Sequence, residues 1–159
     1  MLEDKVDLHR LVWSPDDFDG DQLTPSAFRR DDLKGGDKFI SVSRTDLLQP
    51  EAELKMARRQ AERANGTEFV REVGCSILFN CGRLRVAKDN EGCLPFAVTP
   101  EPIPGENPAH CGIRNISGKT GKGYVNQLRT ILVKLASPPR RLDSFLQDRD
   151  SASEWNGES

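Results

Sequence analysis

The sequence predicts a single α+β domain built on a small mixed or antiparallel sheet with two main helices. Two observations lead to this prediction. Short apolar stretches with alternating side chains, typical of strands, are separated by turn residues. Two other stretches repeat apolar residues every three or four positions, as amphipathic helices do. In chain order the elements are strand, strand, helix, three strands and helix, which indicates an α+β arrangement.

Each strand is predicted from its alternation and from the turn residues that flank it. The predicted strands are Val6–Trp13, Lys38–Ser43, Gly74–Phe79, Leu94–Val98 and Ala109–Arg114. Two turns, at Asp19-Gly20-Asp21 and Gly35-Gly36-Asp37, separate the first two strands. Residues 80–93 carry no clear period and are left unassigned.

The two helices are predicted from their end signals and apolar stripes. The first begins at Pro50, followed by acids in the first turn, and ends at Asn65-Gly66. Its stripe consists of Leu54, Ala57, Ala61 and Ala64. The second covers Lys122–Ala136, and Ser137-Pro138-Pro139 stops it. Residues 1–136 therefore form the predicted domain, and residues 137–159 a polar, largely disordered tail.

Composition narrows the classes of partner. Of the 159 residues, 36% are hydrophobic, which is enough for one core. The formal net charge is −2, so no global basic field attracts nucleic acid, which is not an expected partner. No run approaches the roughly 20 apolar residues of a membrane span. The N-terminal residues are too acidic for a signal peptide, and the sequence predicts a cytoplasmic protein.

The cysteines do not indicate a metal site. None of the four stands in a C-x-x-C pair. A zinc set of Cys81, Cys93, His110 and Cys111 matches no standard ligand spacing, so no metal is expected. Cys111 beside His110 is a poor nucleophile–base pair, because adjacent strand residues point to opposite faces.

The segment 100–114 is the most distinctive part of the chain. Four prolines form a rigid turn that delivers Glu106, Asn107 and His110 to the start of a strand. Alternation places Ala109, Cys111 and Ile113 on its apolar face, and His110 on the opposite, polar face.

A candidate site follows from polar residues on three strands. The candidates are His9, Arg10, Ser41, Ser43, Asn107 and His110. Arginine suits phosphate, serine hydroxyls suit a ribose, and histidine transfers protons near neutral pH. Alternation puts His9 and Arg10 on opposite faces of a regular strand. The alternative interpretation is a half-buried arginine with two solvated serines.

A Gly-rich segment, 112–120, ends in Gly-Lys-Thr and precedes a helix. It has five residues between the glycines where a phosphate loop has four. We therefore interpret it as a strand-to-helix turn capped by Thr120.

The layout of residues 7–114 resembles a family of small uncharacterised bacterial proteins. Those proteins open with an aromatic-Arg pair, continue with Ala-Phe and Ser-Val, and close with Glu-Asn-Pro-Ala-His. Here the corresponding strings include Ala27-Phe28, Ser41-Val42 and residues 106–110. This resemblance implies a layout rather than an activity.

A second resemblance is to small ADP-ribosyltransferase-like proteins. Lys38–Ser43 followed by an Ala-striped helix is similar to their strand-helix order. The resemblance implies NAD as a ligand and a role in toxicity or defence. Arg10 would hold phosphate or ribose, and His110 would act as the hydrogen-bonding or proton-transfer group. No strand-borne glutamate matches the transferase acid, since Glu106 lies in a turn.

The roles of the other candidates come from the same resemblance. His9, Ser41, Ser43 and Asn107 would complete the NAD cleft. The alternative prediction is a non-catalytic interaction module that binds a protein partner encoded nearby. Clustering of Arg10, the two serines and His110 in one concave pocket favours the first prediction. Their dispersal over both faces of the sheet, together with an exposed apolar patch, favours the second.

Overall fold

Six antiparallel strands form the main sheet, as a computed structural model shows for residues 2–13, 17–19, 22–55 and 74–141. The strands are β1 (Asp7–Trp13), β4 (Ile40–Arg44), β5 (Gly74–Asn80), β6 (Phe96–Pro100), β7 (His110–Asn115) and β8 (Arg140–Arg141). Their order is β6-β7-β4-β1-β5-β8. A separate ribbon pairs β2 (Phe18–Asp19) with β3 (Gln22–Leu23). The predicted α+β class is confirmed.

Helices cross both faces of this sheet. They are α1 (residues 50–55 of the described chain), α2 (Cys81–Val86), α3 (Lys122–Leu135), and two 3-10 helices at Pro25–Ala27 and Arg30–Leu33. The predicted helix over 122–136 is confirmed within one residue. Residues 56–66 of the first predicted helix lie outside the described residues.

One face of the sheet, here called the core face, carries the apolar core. Leu8, Ile40, Ile77 and Ile113 lie on this face and are fully buried. They belong to one cluster with Phe28, Leu33 and the α3 residues Val125, Leu128 and Leu132. Full burial of one such side chain stabilises the fold by about 1.5–3 kcal/mol. This packing fixes α3 and both 3-10 helices against the sheet.

The opposite face, here called the outer face, carries mostly polar side chains. The cross-strand pairs Leu78↔His9, His9↔Ser43 and Ser43↔His110 form one row across it from β5 to β7. The strand order therefore gathers several predicted site residues in one row.

The β2–β3 ribbon, the two 3-10 helices, helix α2 and strand β8 were not predicted from the sequence. Helix α2 lies in the unassigned stretch, where the Asn80 side chain caps it by accepting from the Arg83 N–H at 3.0 Å. Its six residues are too few to show a helical period. Strand β8 pairs Arg140 with Ser76, so the sheet continues past the predicted boundary at residue 136. Residues 142–159 of the predicted tail lie outside the described residues.

Candidate functional site

Arg10 lies on the core face, and the protein's own backbone uses its donors. Its guanidinium donates to the carbonyl of Ala27 through Nε and Nη2, at 3.2 and 3.0 Å, and to that of Ser41 through Nη1 at 2.7 Å. Its centre lies 5.8 Å from the centroid of the Phe28 ring. Burial lowers the pKa of Arg10, partly opposed by nearby acids that include Asp17. Arg10 therefore braces β1 against β4 and the first 3-10 helix.

His9 lies on the outer face and is completely buried. Its Nε2 lies 2.7 Å from the carbonyl oxygen of Leu48, and its Nδ1 lies 2.8 Å from Glu53 Oε2. A carbonyl oxygen only accepts, so Nε2 carries a proton. Nδ1 and Glu53 Oε2 lie at ion-pair distance, but neither atom makes a hydrogen bond among the described residues.

Ser43 and Asn107 extend this pair into a network. Ser43 Oγ donates to Glu53 Oε1 at 3.2 Å, and Asn107 Nδ2 donates to Ser43 Oγ at 3.2 Å. The Asn107 side-chain oxygen, Oδ1, accepts from the Ala109 N–H at 3.1 Å. We call His9, Ser43, Glu53 and Asn107 the outer-face network. It joins β1, β4, α1 and the proline turn, and three of its four members are buried.

His110 lies beside this network, on the outer face. It is half-buried and paired across the strands with Ser43, whereas Ala109, Cys111 and Ile113 are fully buried. The predicted alternation is therefore confirmed. Its Nδ1 lies 2.8 Å from the carbonyl oxygen of Glu101, which only accepts, so Nδ1 donates this hydrogen bond.

The structure does not bring together all the predicted site residues. His9, Ser43, Asn107 and His110 share the outer face, while Arg10 reaches the core face. Ser41 is exposed, and its carbonyl, not its hydroxyl, contacts Arg10. The predicted catalytic pair, Arg10 and His110, therefore lies on opposite sides of the sheet.

Phe39 fills the gap beside His110 that Gly112 leaves. A side chain added at Gly112 would meet the Phe39 ring and Cβ at 2.6–2.9 Å. The Phe39 ring centroid lies 5.7 Å from that of His110, and Arg114 stacks over Phe39 at 4.9 Å. Arg114 also pairs with Glu101, and this hydrogen bond, with a second from Thr99, lowers the pKa of Glu101.

The cysteines are poorly placed for chemistry. Cys75, Cys81 and Cys111 are buried, and Cys93 is exposed. Burial raises the pKa of Cys111 to about 11, so its thiol stays protonated near neutral pH. Within the described ranges, no three His, Cys, Asp or Glu side chains form a cluster that would hold a metal ion.

A second region, which the sequence prediction missed, lies beside α3. A cleft of about 760 Å³ opens between the second 3-10 helix and the start of α3. We call it the basic cleft. Among the described residues that line it, Asp31 is the one acid, and the cations are Arg29, Arg30, Lys34, Lys122 and Arg129.

Hydrogen bonds orient two of these arginines. Arg129 Nε donates to the Phe28 carbonyl at 2.7 Å, and Arg30 Nε and Arg129 Nη1 both donate to Asn126 Oδ1, at 3.0 and 3.2 Å. Burial, then the like charge of Arg30, lowers the pKa of Arg129. Lys34 pairs with Asp31 at 2.9 Å, and this contact lowers the pKa of Asp31.

The N-cap residue of α3 differs from the predicted one. Gly121, not Thr120, is the N-cap residue, and no side chain caps the helix there. Asn115 holds the turn instead, by donating to the carbonyls of Leu33 and Lys119 at 2.8 and 2.9 Å. The Gly-Lys-Thr string was the sequence signal for this region. Glu53 had no such signal, since it looked like an ordinary first-turn acid.

Comparison with known proteins gave no match to a family model, a curated protein or a solved structure. Among the described residues, no helix has the length and apolar character needed to cross a bilayer.

Proposed function

We propose that this domain is a non-catalytic binding module. The observation that carries this proposal is the separation of Arg10 from His110 by the sheet, with three Arg10 donor groups directed to backbone carbonyls. A guanidinium used in this way holds elements of the fold together and is not available to a phosphate or ribose. A module of this kind, with a protein partner encoded nearby, was the second function predicted from the sequence.

The burial of the outer-face network supports the same proposal. His9 and Ser43 are fully buried and Asn107 is 6% exposed, so a substrate has little access to them. Most of their polar atoms bond to one another or to backbone groups, as buried polar groups in a structural brace do, whereas His9 Nδ1 makes no hydrogen bond among the described residues. Ligands would then bind at surfaces whose hydrogen-bond donors make no contact within the protein.

One observation favours a second candidate function, the ADP-ribosyltransferase-like activity with NAD. Glu53 brings a carboxylate beside Ser43 and His9, supplying an acid that the strands lack. Its side chain is 21% exposed, which leaves one edge of the network open to solvent. This candidate requires NAD to bind at the outer face.

Release of nicotinamide from NAD tests the two candidates. The protein and its Glu53→Gln and His110→Ala variants are incubated with millimolar NAD, and nicotinamide is measured by chromatography. A binding module releases nicotinamide no faster than buffer alone in all three samples. Release by the unmodified protein that Glu53→Gln abolishes would overturn the proposal and establish the second candidate.

A further inference from the structure

The basic cleft has the size of a small-molecule site. Its volume of about 760 Å³ falls within the roughly 300–1,000 Å³ of typical ligand pockets. The second 3-10 helix forms one wall and the first two turns of α3 form another, and both elements pack on the core. The cleft is therefore preformed by the fold.

The charge in the cleft is concentrated there rather than spread over the chain. Among the described residues of its lining, five cationic side chains face one acid, a local charge of +4. The whole chain carries −2, so the residues outside the cleft carry −6. A concentration of cations in one cleft favours an anion small enough to bind within it.

Several of these cations are not neutralised by the protein. Arg29 and Lys122 make no ion pair with any residue in the described part of the chain. Arg30 and Arg129 converge on a single amide oxygen, that of Asn126, and neither makes an ion pair with a carboxylate in the described ranges. Holding two like charges together costs free energy, and an anion placed between them would offset that cost.

The start of α3 adds to the positive electrostatic potential of the cleft. The helix has no acidic residue in its first turn and no side-chain cap, and Lys122 is its first residue. The first N–H groups of a helix lack intrahelical partners, and they favour negative charge. Thr120 and Ser26 bring hydroxyl donors to the same cleft.

We propose that the basic cleft binds the phosphate groups of a small molecule of nucleotide size. This inference rests on the proposed binding function and names its ligand class. A terminal phosphate carries about −1.5 to −2 charge at pH 7 and three acceptor oxygens, which suits several converging cations better than one carboxylate does. The planar guanidinium groups of Arg29 and Arg30 suit two-point contacts with phosphate oxygens.

Calorimetric titration of the full chain tests this proposal, with inorganic pyrophosphate, ATP and a single-stranded oligonucleotide as probes. The cleft variant is Arg29→Gln with Lys122→Gln. The matched control is Arg83→Gln with Lys88→Gln, which removes two exposed cations elsewhere. We expect pyrophosphate and ATP to bind the unmodified protein and the control alike. The cleft variant should bind them at least about tenfold more weakly, since it lacks two of the cations that would form charge-assisted hydrogen bonds to phosphate.

Three results would overturn the proposal. One is equal affinity of the cleft variant and the control. Another is no binding of pyrophosphate or ATP by the unmodified protein at millimolar concentration. The third is binding of the oligonucleotide alone, which would indicate nucleic acid. Melting temperatures of both variants without ligand confirm that they fold. Nicotinamide release would refute the binding module independently, so the two failures are distinguishable.

Discussion

The outer-face network and the basic cleft are both rich in polar groups, but they differ in how those groups are used. In the network, His9, Ser43 and Asn107 bond to Glu53, to one another or to backbone groups, inside the protein. In the cleft, Arg29 and Lys122 face solvent without an ion-pair partner among the described residues. Residue type alone does not separate a brace from a binding site, whereas the use of the donors does.

The largest expected difference is in the reaction rates of two cysteine thiols, one of them on β7. Cys111 lies on its core face, where burial raises the thiol pKa to about 11, and Cys93 is exposed. Since only the thiolate reacts, Cys111 should react with iodoacetamide at pH 8 at least about a hundredfold more slowly than Cys93. Mass spectrometry of timed samples gives both rates, with urea-unfolded protein as the control. Equal rates in the folded protein would refute the assigned faces of β7.

Removing the shared carboxylate should give the largest loss of stability. Glu53→Ala leaves His9 and Ser43 buried without their partner, and breaking a buried pair costs about 3–5 kcal/mol. Because Glu53 is 21% exposed, we expect about 2–3 kcal/mol. Urea denaturation measures the change. Glu91→Ala, which breaks an exposed pair with Lys119, is the control and should cost less than about 1 kcal/mol. Equal costs would mean that the network does not brace the fold.

A smaller loss is expected at Gly112. Gly112→Ala places a methyl group against Phe39, and overpacking of this kind costs about 1–3 kcal/mol. The contact is specific, so Phe39→Ala should reduce the cost of the glycine substitution in a double-mutant cycle followed by thermal melting. Additive effects of the two substitutions would show that Phe39 does not lie over Gly112.

The smallest effect on stability is expected in the cleft. Arg29→Gln with Lys122→Gln removes exposed charges that make no ion pair, so the free energy of unfolding should change by no more than about 0.5 kcal/mol. The same urea experiment measures it. A loss as large as that of Glu53→Ala would assign the cleft cations to the fold and contradict their role in binding.

Much of the fold follows from local sequence signals, and less of the site does. Alternation in Ala109–Arg114 places His110 opposite Cys111, and the stripe of Val125, Leu128 and Leu132 marks the buried side of α3, because both patterns reflect one buried face. The same alternation separates His9 from Arg10. These features can be predicted from the sequence because they depend only on residues that are close together along the chain.

The remaining features depend on distant partners. Glu53 meets His9 only when α1 crosses the outer face, and Arg29 meets Lys122 only when α3 packs beside the second 3-10 helix. Arg10 was predicted to bind a ligand because its actual acceptors are the backbone carbonyls of Ala27 and Ser41. Every residue has such a carbonyl, so the sequence does not show which of them accept from Arg10. A sequence pattern carries no information on whether such a donor is already used.

Mapping of amide chemical shifts during a titration with pyrophosphate tests the contrast between the two regions most directly. We predict that the chemical-shift changes concentrate in residues 26–34 and 119–129, which include the lining of the basic cleft. The amide chemical shifts of His9, Ser43 and Asn107 should not change. Saturation at millimolar pyrophosphate or below would agree with a preformed binding site. Changes centred on the outer-face network, with the cleft amides unmoved, would contradict the account.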